Sequence, residues 1–382
     1  MNRRRLFLLF MIVGIFLIGG AGSCRSRGET IKIGWIGVLS GENAVAGDMI
    51  KRGTDLAVKQ INDAGGINGR QLEVIYQDDQ LDPKVGVSAF EKLVSVDRVP
   101  VVIQAIGSSV MLAEAPLAER RKVVLISPTC TSDEITNAGD YIFRISPRDS
   151  DQGEVLARIA SQKFNAKKSA CLFINNAYGE GLRNNYVQSF QRDGGEVAVT
   201  EGFNTGTTDL RTQLVKVKAA NVPVTALISH FQEGATALRQ ARELGLRMQF
   251  IGPDGLFVPR IIDLTTNASD GLIVTTFGWN KETPIARQFS TAFQATYNME
   301  PDVFAAYGYD CLRVIANAIQ KGGITPDGIK QALYDTKNLD GVTGPTTFDR
   351  NGDVQKPFSI YRVENGKFKD ISLEIKLTKD GQ

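Results

Sequence analysis

Histidine is almost missing. His230 is the only one among 382 residues, and imidazole is the usual general base and the commonest metal ligand near neutral pH. A catalytic triad would have to use His230, and an ordinary His-ligated metal centre would have no second imidazole. Cysteine is scarce too. Cys24, Cys130, Cys171 and Cys311 stand far apart, so no CxxC metal or redox motif exists. An excess of charge of one sign is also lacking: the net charge is +2, and −1 remains once Arg3, Arg4 and Arg5 are set aside. Nucleic acid therefore meets no broad basic field. No GxxxxGK[ST] phosphate loop and no GxSxG nucleophile elbow occur. Gly179-Glu180-Gly181 opens like a dinucleotide fingerprint, but Asn184 stands where its third glycine belongs. Asp349, Asn351 and Asp353 begin like a calcium loop, with Val354 and Ile360 in place of its Gly and Glu. These absences favour a binding protein over an enzyme and imply no cofactor and no metal.

Long hydrophobic runs are limited to one. Residues 1–24 place three arginines before an apolar run from Leu6 to Ile18, then small residues. That is the layout of a secretory signal peptide, and the run is short for a membrane-spanning helix, which needs about 20 residues. Ala21-Gly22-Ser23-Cys24 resembles a lipobox, in which Cys24 would be acylated, although Ala stands where Leu is commoner. Ordinary cleavage and an uncleaved anchor are the alternatives. Residues 25–29 would be a polar tether, and the folded part is exported in every case.

What the chain has is alternation. Near-continuous apolar strands at 31–40, 71–79, 100–106 and 122–127 are separated by helical patterns at 47–66, 85–96 and 110–120. The rhythm restarts near 150, with helices at 151–164, 181–195, 209–220 and 234–245 and strands at 169–176, 196–203, 223–230, 248–255 and 271–279. Strands alternating with helices imply parallel pairing and right-handed crossovers. Apolar strands without alternation imply helices on both faces of a sheet. The class is α/β, as two tandem Rossmann-like lobes. Helices follow at 284–298, 302–321 and 325–336, and then two Asn-Gly pairs, Asn351-Gly352 and Asn365-Gly366, signal tight hairpin turns.

Open parallel sheets bind ligands beyond the carboxyl ends of their strands. In the first lobe those ends carry hydroxyls: Ser108 and Ser109, then Thr129 and Thr131. Thr131-Ser132-Asp133-Glu134 fits a capping box, and Ser108 or Ser109 is placed to cap a neighbouring helix. The hydroxyls are either caps alone or a cradle in which two helix N-termini converge on an anion. In the second lobe Asp254 follows a strand. It is either a solvated turn residue or the partner of an ammonium in a partly dry cleft. Tyr178 and Tyr307 are aromatic candidates for the pocket wall, or core residues.

Taken in order, IKIGWIGVLSGENAVAGDMIKRG, AIGSS, LISPTCTS, SDQG, AYGEGL, LRQARELGL, FIGPDG and GPTTFD make residues 30 to 375 resemble the type I periplasmic binding proteins of branched-chain amino acid ABC transporters. The resemblance implies two lobes joined by a three-stranded hinge: 30–147 with 279–345, and 148–278 with 346–382. It implies a monomer that takes a free amino acid and hands it to membrane permease subunits, with a lipid anchor as its sole membrane contact. Ser108, Thr129 and Thr131 would hold the α-carboxylate, Asp254 the α-ammonium, and Tyr178 and Tyr307 the surroundings. Two positions depart from the family pattern. Ala46 stands where relatives often carry an aromatic, and His230-Phe231 where they often carry a tyrosine. Those departures leave open which side chain is preferred. A same-fold sensor or binder of amides, urea or aromatic acids is the alternative.

Overall fold

The computed structural model describes residues 30–41 and 43–375; the leader and Cys24 lie outside them. Two sheets organise the chain. The first is built from β1 (Ile31–Gly37), β2 (Leu72–Asp78), β3 (Val101–Gln104), β4 (Val124–Ser127) and β5 (Ile142–Arg144), in the order β2-β1-β3-β4-β5. All its pairings are parallel. Helices α1 (Ala44–Asp63), α2 (Pro83–Ser95) and α3 (Ser108–Arg121) connect its strands. The central strands are buried along their whole length, as expected for a sheet covered on both faces.

The second sheet runs β12-β11-β10-β9-β8-β6-β7. It contains β6 (Lys168–Ile174), β7 (Glu196–Phe203), β8 (Val224–Ile228), β9 (Gln249–Gly252), β10 (Ile273–Phe277), β11 (Phe358–Glu364) and β12 (Lys367–Asp370). Its helices are α4 (Asp149–Arg158), α5 (Ala177–Arg192), α6 (Arg211–Ala220), α7 (Phe231–Glu243) and the short α8 (Arg260–Thr265). The last two strands pair antiparallel. Asn365 and Gly366, both with positive φ, make the turn between them, as the Asn-Gly pair predicts.

The chain then returns. α9 (Pro284–Tyr297), α10 (Val303–Gly322) and α11 (Pro326–Tyr334) follow β10 in sequence but pack beside α1 and the first sheet. The chain does not pass to the second lobe at the expected boundary between residues 345 and 346. Phe348 stacks edge-on against Phe143 at 5.4 Å, Gly352 O accepts from Arg144 N at 3.0 Å, and Arg144 Nε meets Asp353 at 2.7 Å. The chain leaves the first lobe only after Lys356, whose ammonium donates to Thr343 Oγ1 at 2.5 Å. The Asn351-Gly352 turn accordingly joins no strands. Asp349 Oδ1 gathers the N–H groups of Asn351 and Asp353 instead, and the turn serves to dock on β5. That short strand has no signal of its own in the sequence, because three residues are too few to display a period.

Candidate functional site

The strand order reverses beside β1 in the first sheet and beside β6 in the second. Loops leaving the strands at those switch points face each other across a cavity of about 330 Å³, within the range of small-molecule sites. Ala46, Ser108, Thr129, Thr131, Tyr178, Phe231 and Asp254 all line it, as does His230. Tyr307 does not. It is fully buried, packs on Phe277 at 5.1 Å and points its hydroxyl at Gly278 O. Phe304, three residues earlier on α10, lines the cavity in its place, because the side chains nearest the cleft belong to the first turn of that helix.

The first-lobe wall is shaped by its hydroxyls. Ser127, ending β4, accepts from Thr129 N at 3.2 Å and Cys130 N at 2.9 Å, which turns the chain. Thr129 Oγ1 donates to Ala105 O at 2.7 Å and ties this turn to the end of β3. Ser108 Oγ accepts from Thr131 N and Ser132 N, each at 3.3 Å. Gly107 precedes it with φ +106°, a conformation glycine adopts without strain. The predicted capping box does not form. Residues Asp133–Asn137 make a single 3-10 turn with no side-chain cap, and Glu134 is exposed. The reason is Arg144, which is fully buried and donates from Nη1 to both Thr131 O and Ser132 O. That grip fixes the backbone and frees two hydroxyls: Thr131 Oγ1 and Ser132 Oγ are buried without hydrogen-bond partners. Of the two helix N-termini expected to converge from Ser108 and Thr131, only that of α3 is a genuine helix start; α1, α5 and α7 also begin at the cavity. A buried hydroxyl left without a partner is costly, and Thr131 lines the cavity.

The second-lobe wall carries charge. Asp254 is 6% exposed. Its Oδ1 accepts from the Tyr178 hydroxyl at 3.1 Å, and that hydroxyl in turn accepts from Gly255 N at 3.2 Å. Gly255 is required by this closeness, since a Cβ there would sit 2.5 Å from Ser229 O. Burial pushes the Asp254 carboxyl up to about 7, against the pull of hydrogen bonds from Tyr178 and Gln152. His230 stacks on Tyr178 with ring centroids 5.4 Å apart. Burial lowers its pKa, opposed by the Glu233 carboxylate, so its imidazole is neutral at pH 7. Cys130, buried behind the pocket, has its thiol pKa raised by burial, so it carries no thiolate.

Asp149 went unread in the sequence, because an aspartate at a helix start looks like a cap. It is fully buried, and neither carboxylate oxygen has a hydrogen-bond partner. Burial holds its pKa well above the ordinary range, and Asp254 and Asp133 add to the effect. It lies beside Thr131 Oγ1 without reaching hydrogen-bond geometry. The nearby Arg144 guanidinium is already taken up by Asp353, Thr136 and two carbonyls. Two buried carboxyls, Asp149 and Asp254, thus stand within electrostatic reach of each other, and Asp254 alone lines the cavity. Val38, Leu81 and Ile106 make the remaining wall apolar. Val38 and Ile106 follow strand ends, so the strand-end rule alone would have found them.

A family model described as periplasmic binding protein matches residues 30–367. The leucine-, isoleucine-, valine-, threonine- and alanine-binding protein of Pseudomonas aeruginosa is 33% identical over 361 residues, covering 94% of this chain and 95% of that one. The Leu/Ile/Val-binding protein of Escherichia coli is 29% identical over 337 residues, 88% of this chain and 91% of that one. Among solved structures, a branched-chain amino acid transporter substrate-binding protein from Streptococcus pneumoniae, in complex with isoleucine, superposes with TM-score 0.83. It is 32% identical, and the match covers 89% of this chain and 98% of that one.

Proposed function

Because the chain belongs to the periplasmic binding protein family, we propose that it is the extracytoplasmic solute-binding component of an ABC importer, capturing an α-amino acid with an aliphatic or other hydrophobic side chain. The observation that carries this reading is the polarity of the cavity. Unpartnered hydroxyl and α3 N-terminal N–H groups stand on one lobe, the buried Asp254 carboxyl stands on the other, and apolar side chains lie between. A zwitterion satisfies both ends at once. Its carboxylate takes donors from Ser108, Thr131 and the start of α3. Its ammonium compensates Asp254, which is otherwise costly to ionise in a dry site.

Ser108, Thr129 and Thr131 belong to the first lobe and Asp254 and Tyr178 to the second, so a ligand held by both stabilises the closed arrangement by the difference in its contacts. The hinge crossings lie near Pro147, Gly278 and Lys356-Pro357. A membrane permease recognises the closed form. The leader at 1–24 directs export, Cys24 carries a lipid anchor on the outer face of the membrane, and the exported part acts as a monomer. No described helix is long and apolar enough to cross a membrane.

A thermal-shift and calorimetric panel of the twenty amino acids, with amides, urea and benzoates as competitors, tests the reading. Hydrophobic α-amino acids raise the melting temperature by mass action. If benzoate or an amide stabilises the protein and no amino acid does, the zwitterion assignment fails.

A further inference from the structure

The two lobes also meet along one stripe of α5 that starts beside the cavity, at its Ser109 contact, and runs away from it. Ala177, Gly181 and Asn185 are spaced by four and share a helix face. Ser109 Oγ, from the first lobe, accepts from Ala177 N at 3.1 Å. The first N–H groups of a helix have no partner within it, so this is a cap supplied across the cleft. The helix's own cap, Asn176 Oδ1, bonds Gly179 N. One turn on, a Cβ at Gly181 would sit 3.8 Å from Ser132 Oγ, leaving little room for a long side chain. One turn further, Asn185 Nδ2 donates to Asp133 Oδ2 at 2.6 Å. Ser150 Oγ, on α4, donates to Asp133 Oδ1 at 2.7 Å. One first-lobe carboxylate thus receives donors from two second-lobe helices, and such charge-assisted bonds are the strong ones. Neither Asp133 nor Asn185 lines the cavity.

We propose that Asp133 and the Ala177–Gly181–Asn185 stripe form a clasp that sets the balance between closed and open lobes. The apparent affinity of a protein whose competent state is partly populated is reduced by that fraction. Groups that touch no ligand act on the fraction alone. The clasp therefore scales the affinity for every ligand by one factor and leaves their ranking unchanged, whereas a pocket residue alters the ranking. Asp133 is in this sense a positioning residue. The ligand arm of its test rests on the cavity being an amino-acid site, and the arm without ligand does not.

The test compares Asp133→Ala and Asn185→Ala with the unaltered protein, by titration calorimetry with L-leucine and L-valine and by small-angle scattering without ligand. Both dissociation constants rise by a common factor of about ten, mostly through faster release, and the ligand-free radius of gyration grows. Asp133→Asn restores much of the loss, because an amide keeps an acceptor for Ser150 and pairs with Asn185 once that amide turns over. Unchanged affinities with unchanged scattering overturn the clasp, and so does a changed leucine-to-valine ratio. If the unaltered protein binds neither amino acid, the reading of the cavity fails, while the scattering still decides the clasp.

Discussion

Asp254→Asn is the most exacting single perturbation. Asparagine fills nearly the same volume, and its amide oxygen still accepts from the Tyr178 hydroxyl, so the wall keeps its shape. What disappears is the negative charge, at a site only 6% exposed. Removing one member of a buried ion pair costs about 3–5 kcal/mol, and each 1.4 kcal/mol is about tenfold in affinity. The variant should bind leucine at least about 100-fold more weakly by titration calorimetry. A loss below about tenfold would refute the ammonium assignment. The same change gives a signature in stability. The folded carboxyl holds its proton up to about pH 7, while an unfolded aspartate releases its own near pH 4. Between those values the folded protein binds more protons, so the wild type loses stability as the pH rises from about 4 to about 7 and then levels off. The variant lacks that slope. Its melting temperature without ligand should match the wild type at pH 4 and exceed it at pH 8. Wild-type affinity should fall about tenfold per pH unit below 7, as protonation removes the ionised form, and the variant should be flat over the same range.

Three other substitutions probe the rest of the site. Thr131→Val removes a buried hydroxyl that has no hydrogen-bond partner in the protein. Ligand-free stability should hold or rise in urea titrations, while affinity should drop by roughly 10- to 100-fold, as for a lost hydrogen bond to a charged group. Ala46→Phe puts a ring into the cavity wall where Ala46 is 6% exposed. Calorimetry should show leucine binding kept, since an aromatic is common here in the family pattern, and binding of bulkier side chains such as phenylalanine lost. Arg144→Leu strips the cation from fully buried Arg144 and leaves Asp353 without its 2.7 Å partner. Chemical denaturation should reveal a loss of about 3–5 kcal/mol, with weakened binding because Thr131 is no longer held.

The sequence by itself determined the class of fold and many of the residues that line the cavity. Apolar strands alternating with amphipathic helices are local signals, and each strand end announces its loop. Ser108, Thr131 and Asp254 could therefore be named as candidates from position, Tyr178 as a possible wall residue, and the family resemblance supplied their expected roles. Tertiary structure decided what distance along the chain hides. Phe304 rather than Tyr307 reaches the cavity, because α10 enters it end-on. Thr131 is a free donor rather than a cap, because Arg144, on a strand too short to be read, takes hold of its carbonyl. Asp149 is a buried carboxyl rather than a helix cap, because α4 starts inside the seam between the lobes. Burial, the state of a hydroxyl and the partner of a charge depend on residues far away in sequence, and no local period records them.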